Sequence, residues 1–311
     1  MASSTTWDVI VLGGANTDYQ IRGPRLPMPG ETIEGTTFHE GPGGKGANQA
    51  VAVARLGARV ALIARIGSDR RGNDLVRALE GEGVSTRFVV RDDHAITGVA
   101  IIMVDKRGQK KILTAPGANQ RLTDGDVDAA TEALQSTKVV LAPLEAPLHA
   151  IAHAMAIGKG AGARNVLDPA PAYQLPDDLL RLLDVIRPNA TETQILTDVE
   201  VRDRPTARQA ARQLMDRGVG MVAVQAGDDG NLLLTRDEEV WLPKLPVESI
   251  DATGAGDAFA AGLAVALAEN QPLRQAGPFA NTCAALATTK LGAQAGLPSR
   301  EEVVAWMGRK W

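Results

Sequence analysis

The stretch IDATGAGDAFAAGLAVALAEN, residues 250–270, sets small residues and a carboxylate directly ahead of a long run rich in alanine, leucine and valine. Its period and length predict a helix over 255–269, entered through Gly254, Ala255 and Gly256. Free N–H groups at a helix N-terminus, with the helix dipole behind them, form an anion site. A carboxylate in that first turn is stabilised as the anion. Asp257 is therefore a candidate base beside an oxyanion cradle. The alternative is that Asp257 only caps the helix, which leaves the neighbouring glycines and a second acid, Asp251, without a role.

Upstream, apolar runs predict strands over 7–13, 59–67, 138–144, 164–170, 184–189 and 221–227. Helix-period segments lie between them at 46–57, 69–82, 123–136, 147–160 and 205–218, and the last third continues with helices over 273–290 and 299–308. This alternation of near-continuous Val/Ile/Leu strands with helices predicts an α/β fold, a mainly parallel central sheet flanked by helices. A second strand group, around 19–23, 32–38, 98–104 and 109–114, breaks the rhythm and is expected to form a small sheet over one end of the main one. No repeat, low-complexity tract or linker is evident, so residues 1–311 are expected to form one domain.

The 311 residues are 44% hydrophobic and carry a formal net charge of -4. That balance suits a globular chain with a substantial core. The absence of a Lys/Arg block argues against a nucleic-acid or membrane-surface partner, which needs a concentrated positive field. Cys283 is the only cysteine, so no intrachain disulfide can form. With no basic segment ahead of an apolar one at the N-terminus, a cytoplasmic location is expected.

A second glycine cluster, EGPGGKGANQAVA (40–52), poses a choice. A phosphate-binding P-loop needs G-x-x-x-x-G-K-[S/T]. Here Lys45 is followed by Gly46, and His39 stands where the first glycine is required. A dinucleotide fingerprint fails too, because no clear buried strand precedes it. What remains is a glycine loop opening a helix. Gly43 and Gly44 allow close backbone approach to a small ligand, and Asn48 offers an amide that both donates and accepts, as a polyhydroxylated ligand would require. An ordinary glycine-rich turn is the competing reading.

GGANTD (13–18), PGGKGANQA (42–50) and DATGAGDAF (251–259), in this order, resemble the ribokinase family of PfkB-type sugar kinases. LEAP (144–147), LDPAPA (167–172), PNATE (188–192) and LGAQ (291–294) extend the resemblance over essentially the whole chain. It implies a ribokinase-like fold with a small sheet acting as a lid, and ATP-dependent phosphorylation of a sugar hydroxyl. Asn16, Thr17 and Asp18 would meet the sugar, Asp18 as the carboxylate that accepts from two adjacent hydroxyls. Gly44, Lys45, Gly46, Ala47 and Asn48 are also placed at the sugar, as is Glu145. The glycine loop would then hold the sugar, with phosphates elsewhere.

On the nucleotide side the resemblance assigns Asn189 and Glu192 to magnesium and phosphate through water, and Gln225, Ala226, Gly227, Asp228 and Gly230 to the loop bordering ATP. Gln225 stands where Thr or Ser is common. Asn281 would lie near the adenine, although a polar residue in an alanine-rich helix could equally face solvent. Asp257 would be the base, and the N–H groups of Gly254, Ala255 and Gly256 the anion hole, with Gly256 also touching the nucleotide. Activation by potassium would involve Asp251, Thr253, Ala287, Lys290, Gly292 and Gly296, the last standing where serine is common. The lid is expected to pair with its counterpart in a homodimer.

Three other readings stay open: a nucleoside kinase, which the 3% aromatic content disfavours; a kinase of 2-deoxyribose or a hexose such as fructose; and a non-catalytic sugar-binding protein, for which an intact Asp257 and GAG would serve no purpose.

Overall fold

A computed structural model describes residues 6–308. Strand β1 (Val9–Leu12) leads into the lid strands β2 (Asn16–Arg22) and β3 (Thr37–Gly43), then helix α1 (Lys45–Arg55), β4 (Val60–Gly67), α2 (Arg70–Gly81) and β5 (Ser85–Asp92). Two more lid strands follow, β6 (Gly98–Val104) and β7 (Lys110–Ala115). The short helices α3 (Asp124–Asp128) and α4 (Thr131–Ser136) precede β8 (Val139–Pro143), α5 (Leu148–Gly160), β9 (Arg164–Asp168), α6 (Asp177–Leu180) and β10 (Val185–Ile186). Then come α7 (Ala190–Thr197), α8 (Arg204–Asp216), β11 (Met221–Gln225), β12 (Asn231–Leu234) and β13 (Glu239–Leu242). Helices α9 (Ala255–Ala268), α10 (Leu273–Ala287), α11 (Ala293–Gly296) and α12 (Arg300–Gly308) complete the chain.

The main sheet has nine strands in the order β13-β12-β11-β10-β9-β8-β1-β4-β5. From β11 to β5 every pairing is parallel, and β12 and β13 add an antiparallel edge. Side chains alternate across β1: Val9 and Val11 pack with α1, α9 and α10, whereas Ile10 and Leu12 pack with the helices of the other face. A strand buried on both faces must be apolar at every position, which accounts for the unbroken VIVL.

The lid is a mixed four-stranded sheet, β3-β2-β6-β7, in which β2 runs parallel to β6 and the two outer pairings are antiparallel. The strand expected over 32–38 lies instead over Thr37–Gly43, so the EGPG run (40–43) is itself lid strand. The helix expected over 123–136 is two short helices. Three strands went unpredicted: β5, whose half-buried face weakens the apolar signal, and the hairpin β12–β13. Among the described residues no helix is long and apolar enough to cross a membrane.

Strand order fixes where a ligand can lie. The chain moves outward from β1 through β4 and β5 on one side, and from β8 through β9, β10 and β11 on the other. The order therefore reverses between β1 and β8. In such sheets ligands occupy the crevice beyond the strands' carboxyl ends at that point.

Candidate active site

Five neighbouring strands deliver residues to one cleft of about 430 Å³. Gln225 ends β11, Arg187 and Asn189 follow β10, Glu145 follows β8, and Asn16 and Asp18 come after β1. Asp168 ends β9 and touches the cleft residues Lys45 and Arg187 from below. Lys45 and Asn48 come from α1, residues 252–257 from the start of α9, and Ala100, Ile102, Lys110, Ile112 and Thr114 from the lid.

Asp257 is buried in the first turn of α9. Its Oδ2 accepts from Asn48 Nδ2 at 3.1 Å and its Oδ1 from Gln49 Nε2 at 3.1 Å. Gln49 Nε2 also donates to Asp168 Oδ2 at 2.9 Å, so one amide spans two buried carboxylates. The Lys45 ammonium stands 4.0 Å from Asp257 and 3.9 Å from Asp168. Burial pushes the Asp257 carboxyl up, and Asp168 adds to that; Lys45, Asn48 and Gln49 pull it back. Burial acts to lower Lys45, but the charges of Asp257, Asp168, Glu145 and Glu192 outweigh it and hold the ammonium above the usual lysine range. Lys45 therefore stays charged beside the carboxylate it steadies.

The approach to α9 depends on Gly254, which takes the left-handed conformation at φ 84° as N-cap. A Cβ there would stand 2.8 Å from the Ala293 carbonyl oxygen, so strain and space both demand glycine. Asp257 is not the cap. The Ala255 N–H donates to Ala252 O at 3.3 Å, and Gly254, Ala255 and Gly256 line the cleft, where the start of a helix favours an anion.

At the other end, Asp18 packs against Gly43, where a Cβ would come within 2.3 Å of the carboxylate atoms. Asp18 Oδ1 is buried and unpartnered among the described residues. Burial, with the Asp257 charge adding to it, raises Asp18 to about 7. Glu145 Oε2 accepts from the Lys45 backbone N–H at 2.7 Å, and burial raises this group to about 7 as well, against the pull of Lys45. Asn119, which the sequence reading missed, donates to Asn16 Oδ1 at 2.7 Å and accepts from the Ala15 N–H at 3.0 Å. The GAN of residues 117–119 was the available signal.

Three assigned sugar residues point elsewhere. Thr17 is on the opposite face of β2 from Asn16 and Asp18, in a depression with Glu40, Arg70 and Arg71, as strand alternation requires. At Gly46 a Cβ would lie 2.5 Å from the Gly13 backbone, so this glycine serves the close packing of α1 on the loop after β1. Ala47 is fully buried, and its N–H donates to Gly14 O at 3.0 Å.

Asn189 and Glu192 form a capping box. Asn189 caps α7 by accepting from the Glu192 N–H at 2.9 Å, and Glu192 Oε2 accepts from the Asn189 N–H at 2.8 Å. Both also face the cleft, so capping and ligand contact coexist. Burial, then Asp168, raises Glu192. Of the loop after β11 only Gln225 lines the cleft; Ala226 is buried, and Asp228 pairs with Lys244 at 3.2 Å. Asn281 is buried rather than on a solvated face, and its amide donates to Pro243 O and accepts from Asn231, each at 2.9 Å. It fastens α10 to the β12–β13 hairpin.

Asp251 Oδ1 accepts from the Thr253 N–H at 3.0 Å and from its hydroxyl at 2.6 Å, while Oδ2 accepts from the Gly292 N–H at 3.1 Å. Despite burial, these bonds hold Asp251 below the usual carboxylate range. A Cβ on Gly296 would meet the carbonyl oxygens of Ala287 at 2.4 Å and Lys290 at 3.7 Å. Oxygen donors thus converge on the space that the missing side chain leaves. Lys110 reaches down from the lid to donate to Thr253 Oγ1 at 2.9 Å.

A buried carboxylate at a helix N-terminus, a lysine among carboxylates and an unpartnered carboxylate oxygen share this cleft, and the model of the pfkB family carbohydrate kinases matches residues 7–300. The chain belongs to this family. Among curated carbohydrate kinases of this kind, it is 39% identical to a ribokinase of Haemophilus influenzae over 96% of this chain and 97% of the relative. It is 36% identical to a deoxyribokinase of Salmonella typhi over 95% and 97%. Among solved structures, Arabidopsis thaliana ribokinase complexed with ribose and ATP superimposes with a TM-score of 0.89 at 30% identity, covering 99% of this chain and all of that one.

Proposed function

We propose that this kinase transfers the γ-phosphoryl group of ATP to the primary hydroxyl of D-ribose, giving ribose 5-phosphate and ADP. The observation that carries the reading is the placement, in one cleft, of Asp257 at the open N-terminus of α9 and Asp18 with a buried, unpartnered oxygen. A carboxylate can accept from two adjacent hydroxyls, so Asp18 holds the sugar diol. Asn16, Gly44, Lys45, Asn48 and Glu145 complete the sugar site, and Ala100, Ile102 and Ile112 cover it with apolar surface.

Asp257 takes the proton of the primary hydroxyl as that oxygen attacks the γ-phosphorus and the bond to the ADP oxygen breaks. Burial raises this carboxyl and so makes it a stronger proton acceptor, while Lys45, Asn48 and Gln49 favour its anion. The N–H groups around Gly254, Ala255 and Gly256 receive the charge that spreads over the phosphoryl oxygens, a contribution of about 3 kcal/mol per donor in comparable sites. Gln225 and the turn through Ala226, Gly227, Asp228 and Gly230 border the nucleotide, with Asn281 behind it as support.

The donor sets fit two cations. Asn189 and Glu192 are oxygen donors already locked to each other, suited to holding magnesium through its waters. Bound magnesium supplies charge neutralisation at the β- and γ-phosphates. The Asp251 carboxylate and the carbonyls of Thr253, Ala287, Lys290, Gly292 and Gly296 suit potassium. We read residues 1–311 as one cytoplasmic kinase domain with a lid that closes to exclude water. The lid's outer face exposes Ile21, Phe38, Ile101 and Leu113, an apolar surface suited to a second copy of the chain.

The test is ADP release from Mg-ATP in potassium buffer with ribose, 2-deoxyribose, fructose and adenosine offered separately, and phosphorus NMR of the product. Turnover with ribose at the primary hydroxyl supports the proposal. Preference for 2-deoxyribose would place the chain with the Salmonella relative instead, and silence with all four would overturn the kinase reading. Equal rates in sodium and potassium would remove the potassium claim.

A further inference from the structure

Arg187 follows the two-residue strand β10 and extends beneath the start of α9. No motif of the sequence reading included it. Its side chain is only 11% exposed, yet its nearest acidic atom, Asp168 Oδ1, is 3.8 Å away, beyond hydrogen-bond distance. Among the described residues none accepts a hydrogen bond from it. The guanidinium lies over the Phe259 ring at 5.1 Å. A Cβ on Gly256 would stand 2.8 Å from Arg187 Nη1, so the group abuts the backbone that opens α9.

This position is unfavourable for a cation in the free protein. The positive end of the helix dipole repels it, and among the described residues its N–H donors have no acceptor and are left facing the cleft. The Asp168 charge offsets part of this, but Asp168 is shared with Lys45 at 3.9 Å and with Gln49 at 2.9 Å. An anion seated between the guanidinium and the N–H groups of α9 would satisfy both at once. Arg187 also lines the cleft, as Lys45 does, and the two cations approach different oxygens of Asp168.

We propose that Arg187 is a catalytic residue that donates to non-bridging oxygens of the phosphoryl group in transit, a cation supplied in cis that closes the cradle formed by the α9 N-terminus. This rests on the kinase reading above. Arg187 exchanges neither proton nor electron pair: the sugar O–P bond forms, the P–O bond to ADP breaks, and the proton passes to Asp257. Guanidinium geometry is suited to two oxygens of one phosphate, which an ammonium cannot match. Phe259 and Asp168 hold the fork in place.

Arg187→Met and Arg187→Lys test this, with melting temperature measured alongside. Two readouts are needed: kcat with KM for each substrate, and calorimetric affinity for ADP with aluminium fluoride and ribose, a mimic of the phosphoryl group in flight, set against affinity for AMP. The expected result for Arg187→Met is a kcat lower by about 100- to 1,000-fold and a comparable loss of affinity for the mimic, with AMP binding unchanged. Arg187→Lys should recover part of both and serves if the Met variant does not fold. A kcat within threefold of the parent, or equal losses for AMP and the mimic, would overturn the inference while leaving the kinase reading standing. An inactive parent chain would overturn both.

Discussion

Asn48 donates its side-chain amide to Asp257 Oδ2 at 3.1 Å, joining the first turn of α1 to the first turn of α9 across 209 residues of sequence. Gln294 Nε2 in turn donates to Asn48 Oδ1 at 3.1 Å, which fixes the orientation of the amide. Asp257→Asn should lower kcat by about 1,000-fold or more without lowering the melting temperature, since a buried carboxylate near Asp168 is removed. Asn48→Ala deletes a bond that favours the Asp257 anion. Its acid limb in the kcat–pH profile should therefore move to higher pH, and an unmoved limb would separate Asn48 from the base.

Asp18 gives a pH dependence of opposite sense for stability and for binding. Its carboxyl, raised from 3.8 to about 7, is protonated in the folded chain where the unfolded chain has already ionised. The stabilising contribution is complete below the unfolded value and is lost as pH rises through about 7. Sugar binding needs the anion. The dissociation constant for ribose should fall as pH rises from about 6 to about 8, and Asp18→Asn should flatten that slope. Calorimetry across this range measures both.

Gly43→Ala should damage sugar binding selectively. The added methyl would lie 2.1 Å from Asp18 Cγ. The carboxylate must then swing out of the cleft, raising KM for ribose at least about tenfold while KM for ATP changes little.

Serine at position 296 should not improve the response to potassium. Its Cβ would come within 2.4 Å of the Ala287 carbonyl oxygen, displacing one of the donors assigned to the cation. Gly296→Ser is expected to lower both the melting temperature and the affinity for potassium. Titration of activity with potassium chloride, at constant ionic strength, decides it.

Much of the fold was legible because strands buried on both faces must be apolar throughout. VIVL in β1 and VALIARIG in β4 can hardly be read otherwise. The lid was legible in kind but displaced at β3, since EGPG (40–43) carries no alternation of apolar residues and its register comes from pairing with β2. The site was legible where chemistry needs a motif, as in the glycines before Asp257. It was not legible where a role depends on what tertiary packing brings near. Gln49 is an unremarkable helix residue until Asp168 and Asp257 meet at its amide, and Arg187 reads as a lone basic residue until α9 lies across it. Thr17 shows the converse: adjacency to Asp18 in sequence places it on the far side of the sheet.

Between the end of β3 at Gly43 and the start of α1 at Lys45 there is a single residue, Gly44, with φ 86°. The lid's edge strand β3 and the helix that presents Lys45, Asn48 and Gln49 to the carboxylates are thus joined through one residue. A change in the course of β3 therefore reaches Lys45, Asn48 and Gln49 as well as the lid. Engineering for a new sugar should begin at Ala100, Ile102 and Ile112 on β6 and β7, which line the cleft and lie away from that joint.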